Sequence, residues 1–221
     1  MRVDIWSDVV CPWCYVGKAR FSKALASFPH RDEVEVIFRS FELDPGAAVG
    51  GHETNLAMIA AKFGLPRSQA IQMEERVAGL ARAEGLEYQL ERPNGNTFDL
   101  HRVLHLARAN GVQDAMVNAL YEANFARASR VFDRDVLVSV AAGAGLDRPD
   151  VAKVLDSDQY ADAVRADEAQ AHALGATGVP FFVFDMKIGV SGAQATETFT
   201  RALAQAWETG ASAEGEEGNN D

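Results

Sequence analysis

A chain of 221 residues, nearly half of them hydrophobic, can bury a substantial core, either as one large domain or as one domain carrying an insertion. Its net charge of −11 argues against general binding to nucleic acid or anionic membranes, which need cationic patches to neutralise phosphates. No apolar run approaches the ~20 residues that span a bilayer, and strand-like alternation begins too close to Met1 for a secretory signal, so the expected location is the cytoplasm.

In chain order, Val3-Asp4-Ile5-Trp6 alternates like a strand, and Phe21, Leu25 and Phe28 recur at helical spacing after Tyr15. Cys11-Pro12-Trp13-Cys14 therefore sits where a strand hands over to a helix. The helix N-terminus offers unpaired N–H groups and the positive end of a dipole, which stabilise a thiolate on Cys11. Pro12 suits the first turn, where its missing N–H costs nothing. A dithiol catalyst needs an ionised, reachable sulfur to attack a disulfide and a second sulfur one turn away to resolve the product, so Cys11 reads as nucleophile and Cys14 as resolver. The plainer reading, half of a metal site, is weakened by the lack of any other cysteine. In the cytoplasm a structural disulfide is also disfavoured.

Val34 to Phe41 reads as a second strand, with Val36, Ile37 and Phe38 pointing to cover on both faces and hence to a βαβ unit. Glu42-Leu43-Asp44-Pro45 and the glycines at 46, 50 and 51 form a long turn that marks a boundary. From Thr54 to about Leu174 the pattern is helical: Thr54 caps a helix stopped by Gly64, Pro66 opens one stopped by Gly85, and Leu100, Val103, Leu104 and Ala107 mark another. Strand chemistry returns at Thr177 to Phe184 and, after the turn Asp185-Met186-Lys187, at Ile188 to Ser191, a β-hairpin. A closing helix carries Phe199, Leu203 and Trp207, and residues 210–221 read as a disordered acidic tail.

The fold class is α/β, and the order of elements resembles a thioredoxin fold interrupted by an all-helical insertion. The first part spans 1–50, the insertion 51–156, and the second part, with its long helix, hairpin and final helix, 157–209. With Cys11-Pro12-Trp13-Cys14 and Thr177-Gly178-Val179-Pro180 in place, the chain resembles the DsbA family of thiol-disulfide oxidoreductases. It is most similar to the FrnE-like branch through Ser7 to Gly17, Phe41 to Pro45, Phe98 to Arg102 and Gly178 to Val183. The resemblance implies that Pro180 is a cis-proline facing the cysteines, which leaves the backbone of Val179 to pair with an extended substrate segment. Read from the residues alone, Pro180 is more simply a trans proline opening an edge strand.

The kappa-class glutathione transferases and hydroxychromene-carboxylate isomerases look similar around Asn96 to Arg102 but carry serine at the active site. The paired cysteines here favour disulfide exchange. Asn96 and His101 are candidate substrate contacts, against the plainer readings of a turn residue and a helix-surface residue. Pro12, Trp13, Val179 and Pro180 complete the expected substrate surface. Asp8 and Glu42 are candidate proton carriers for Cys14, although most such carboxylates are solvated turn residues. His101 and His105, at i and i+4, could join the cysteines around zinc, but that site would silence the catalyst, and no metal is expected.

The expected activity is that of a cytoplasmic thiol-disulfide oxidoreductase that oxidises, reduces or isomerises disulfides of protein or small-molecule partners. No cofactor is expected beyond the Cys11-Cys14 redox pair, with glutathione as a candidate substrate and no nucleic-acid or membrane partner. The alternatives are a glutathione-dependent isomerase or transferase, and a non-catalytic chaperone or peptide-binding protein.

Overall fold

The computed structural model describes residues 1–50 and 53–217. A four-stranded sheet in the order β2-β1-β5-β6 is built from β1 (Arg2–Ser7), β2 (Glu35–Ser40), β5 (Phe181–Phe184) and β6 (Ile188–Ser191). The intervening β3 (Glu53–Thr54) and β4 (Pro93–Asn94) form a separate two-residue ladder that sequence reasoning did not anticipate. β1 and β2 run parallel, as a crossover through α1 (Pro12–Ala26) requires, and β5 is antiparallel to both its neighbours.

The period of two sorts the β5 side chains onto opposite faces. Phe182 and Phe184 pack with Phe21 of α1 and Phe199 of α9 (Thr196–Glu217), the Phe182 and Phe199 ring centroids lying 4.6 Å apart. Phe181 and Val183 cluster instead with Trp6, Phe41 and Ala171, the last on α8 (Ala161–Ala173). Consecutive phenylalanines are thus core on both sides of an interior strand.

Between the two parts of the sheet run α2 (Asn55–Phe63), α3 (Arg67–Ala83), α4 (Phe98–Ala109), α5 (Gln113–Tyr121), α6 (Arg134–Gly143) and α7 (Arg148–Leu155). The Thr54 side chain accepts from the Ala57 N–H, and Gly64 ends α2 at φ 63°, the left-handed cap that glycine adopts without penalty. Glu84, after α3, is clamped by Lys23 and Arg20 of α1, which ties the helical segment to the helix carrying the cysteines. The Lys23 hydrogen bond holds its carboxyl below the usual range. α5 passes into a π-helical stretch, Glu122–Ala126, that places Phe125 in the core against Tyr15 and Tyr88.

The open edge of β2 is covered by side chains. The Gln113 amide accepts from the Phe38 N–H at 3.0 Å and donates to its carbonyl at 2.9 Å, and Asp167 accepts from the Ser40 N–H at 3.0 Å.

α9 runs through Glu217, into the stretch that reads from the sequence as an acidic tail. Residues 218–221 lie outside the described part. Among the described residues no helix is long and apolar enough to cross a membrane.

Candidate active site

The backbone leaves β1 at Ser7, turns with a Cys11 N–H to Asp8 carbonyl bond of 3.2 Å, and enters α1 with Cys11 at the N-cap and Pro12 in the first turn. Cys11 takes the place that serine or aspartate fills in other helices: its Sγ accepts from the Cys14 N–H at 3.4 Å. This is the contact that a thiolate at a helix N-terminus strengthens. The same sulfur lies 3.5 Å from the Val179 carbonyl oxygen, and the Val179–Pro180 peptide is cis. Gly17, one turn further along α1, allows Pro180 to approach, since a Cβ there would stand 3.0 Å from Pro180 Cγ. Cys11, Cys14, Val179 and Pro180 therefore converge.

Cys11 is only 2% exposed, so its sulfur is reached through a cavity and not from open solvent. That cavity, of about 380 Å³, has Cys11, Pro12, Trp13 and Val179 on one wall and residues of α2 and α3 on the other. Trp13 is 40% exposed and forms a lip beside the nucleophile. Cys14 is buried beneath, and burial, followed by the neighbouring Cys11, pushes its thiol well above the ordinary cysteine range.

Asp8 lines the cavity and is buried, one carboxylate oxygen 3.2 Å from His101 Nε2 and the other accepting from the Leu43 N–H at 2.8 Å. His101 is equally buried, and among the described residues its Nδ1 has no hydrogen-bond partner. His101 does not line the cavity, and its ring lies against the Asp8 carboxylate. Asn96 is not among the cavity-lining residues either. Its side chain donates to the Pro45 carbonyl at 3.2 Å and accepts from the Phe98 N–H at 3.0 Å, bracing the turn before α4. Glu42 is held by Arg165 at 2.7 Å; burial raises its carboxyl against that hydrogen bond. His105 pairs with Asp167 and not with the cysteines. Among the described residues no group of three or more His, Cys, Asp or Glu is placed to hold a metal.

Sequence reasoning missed residues that the insertion delivers. Asn124, in the π-helical stretch, donates to the Val9 carbonyl at 3.1 Å, steadying the turn before Cys11. Tyr121 lies near the cysteines, and burial pushes its hydroxyl far above the usual range. Under the α3 wall, Arg92 bonds Glu74 at 2.7 Å and stacks on Tyr88 and Phe125, while the Tyr88 hydroxyl donates to Glu74 at 2.6 Å. No local motif marks these positions; a π-helical stretch is detectable only once the backbone is known.

A profile of DSBA-like thioredoxin domains matches residues 2–204. A probable DsbA oxidoreductase from Streptomyces coelicolor is 55% identical, with 94% of this chain and 90% of that chain covered and a TM-score of 0.87. A 2-hydroxychromene-2-carboxylate isomerase is 16% identical with a TM-score of 0.70, covering 96% of this chain and 98% of its own. The cytosolic disulfide reductase DsbM from Pseudomonas aeruginosa, solved with GSH, is 15% identical with a TM-score of 0.65, covering 94% and 100%. The last two are likenesses of fold.

Proposed function

The chain belongs to the family of DSBA-like thioredoxin domains, and from that premise we propose that it is a thiol-disulfide oxidoreductase with Cys11 as nucleophile and Cys14 as resolver. The observation that carries the reading is the single sulfur at a helix N-cap, bonded by the Cys14 N–H and set against the Val179 carbonyl on the wall of a cavity. The Cys11 thiolate attacks one sulfur of a disulfide R–S–S–R′ and expels R′S⁻, leaving a Cys11–S–S–R mixed disulfide. Cys14 then attacks Cys11 Sγ, expels RS⁻ and closes the Cys11-Cys14 disulfide. Two thiols of the protein become one disulfide, two electrons pass to the substrate, and the proton lost by Cys14 ends on a released thiol. Run backward, the same steps oxidise a dithiol client.

Within this proposal the enzyme works in the cytosol and falls in the FrnE-like branch that its motifs resemble. The fold occurs in a protein described as a cytosolic disulfide reductase, so it is compatible with that compartment. The test is intact-mass analysis after mixing with a disulfide. Cys14→Ala should accumulate a covalent adduct on Cys11 and Cys11→Ala none; equal labelling of both variants, or of neither, rejects the assignment.

A further inference from the structure

The lining of the cavity at Cys11 differs in character from the rest of the surface. Seven large hydrophobic side chains stay exposed among the described residues, and four of them, Trp13, Leu43, Phe63 and Met73, line the cavity beside Cys11. Within the same lining, Lys62 at the end of α2 and Arg76 on α3 have side chains that make no ion pair or hydrogen bond among the described residues. Two of the cavity's carboxylates are already satisfied: Asp8 by His101 and the Leu43 N–H, and Glu74 by Arg92 and Tyr88. Asp44, on the loop after β2, accepts from the Gly46 N–H. Two uncommitted cations thus line the same cavity as the nucleophile in a chain of net charge −11. A volume of about 380 Å³ lies at the small end of ligand cavities and suits a compact molecule.

We propose that this cavity takes a low-molecular-weight disulfide bearing carboxylates, with its sulfur at Cys11, its apolar stem against Trp13, Phe63 and Met73, and a carboxylate at Lys62 and Arg76. The inference rests on the dithiol reading and names its substrate class. The reaction is the one written above, with R and R′ carrying the carboxylates: one small disulfide is reduced to two anionic thiols as the Cys11-Cys14 pair is oxidised.

The experiment is a single turnover of the reduced, full-length protein with three disulfides of matched length: dithiodipropionate (anionic), hydroxyethyl disulfide (neutral) and cystamine (cationic). Protein oxidation is followed by alkylation and mass analysis, and each rate is divided by that of the same disulfide with mercaptoethanol, which removes intrinsic reactivity. At low salt the anionic disulfide should outpace the cationic one by about tenfold, a ratio that added salt reduces. Lys62→Gln with Arg76→Gln should bring the ratio toward unity, and Lys62→Glu with Arg76→Glu should invert it. Lys187→Glu, on the β5–β6 turn outside the cavity, should keep the wild-type order. Misfolding would abolish all three rates and could not reorder them.

Equal normalised rates in the wild type, an order unmoved by the double substitutions, or oxidation by polypeptide disulfides alone overturns the proposal while leaving the dithiol reading intact. Failure of every disulfide, small or polypeptide, to oxidise the pair overturns both.

Discussion

The two walls of the cavity beside Cys11 are made of different material. On the cysteine wall the groups that matter are backbone: the Cys14 N–H, the Val179 carbonyl and the first turn of α1, all fixed by a strand-to-helix junction and a neighbouring strand. The facing wall is made of side chains, Phe63, Met73, Lys62 and Arg76, on helices that belong to the interrupting segment. Backbone positions survive most substitutions, whereas a side-chain surface changes with each one. The division assigns chemistry to the first wall and selectivity to the second, and each half of that assignment can be broken separately.

The largest effect is expected beneath the side-chain wall. Arg92→Leu would leave the Glu74 carboxylate buried without its partner and remove the stacking on Tyr88 and Phe125. A loss of about 3–5 kcal/mol in urea unfolding is expected, since stranding one member of a buried pair is far more damaging than its presence is helpful. A loss below about 1 kcal/mol would mean that α3 does not depend on this cluster.

On the backbone wall the most sensitive position is Gly17. An added Cβ at 3.0 Å from Pro180 Cγ and 3.4 Å from Ala193 cannot be absorbed by a flexible side-chain end. Gly17→Ala should therefore destabilise by about 1–3 kcal/mol despite the better helix propensity of alanine, and should slow disulfide exchange by moving Pro180. A stabilised variant with unchanged exchange would show that the approach is not constraining.

The resolving step gives a pH signature. Burial, and then Cys11, holds the Cys14 thiol above the ordinary range, and once Cys11 is tied up in a mixed disulfide the burial remains. Release from a preformed mixed disulfide should accelerate about tenfold per pH unit from neutral pH upward, because the thiolate fraction rises at that rate below the thiol's own pKa. A flat profile would indicate that Cys14 is ionised already or is not the resolver.

The smallest effect belongs to the side-chain wall itself. Phe63, 56% exposed, should be replaceable by serine within about 0.5 kcal/mol of wild-type stability, while KM for the preferred disulfide rises a few-fold and kcat holds. A fall in kcat with KM unchanged would assign this wall to the chemistry and erase the division.

What was legible in the sequence follows the same line. The Cys11-Pro12-Trp13-Cys14 junction, the Thr54 cap, the Gly64 stop and the Asp185 to Lys187 turn are local, each written within a few neighbouring residues, and the structure forms them where the pattern places them. Contacts between distant segments were not legible. Nothing near Asp8 announces His101, 93 residues away, and nothing near Val9 announces Asn124. Asn96 and His101 sit in a family-like motif, yet one braces a turn and the other a carboxylate. A motif shows that residues are kept together and does not show which of them faces the substrate.

The side chains along β2 have a consequence for association between chains. A strand at the margin of a sheet ordinarily offers a free row of donors and acceptors that templates pairing with another molecule. Here Gln113 occupies both groups of Phe38, and Asp167 takes the N–H of Ser40, an acceptor position that Arg39 secures with an ion pair and His105 with a 3.2 Å contact. A second copy or an unfolding client would have to displace these side chains to pair at Phe38 and Ser40, so that stretch of the margin is defended against strand recruitment.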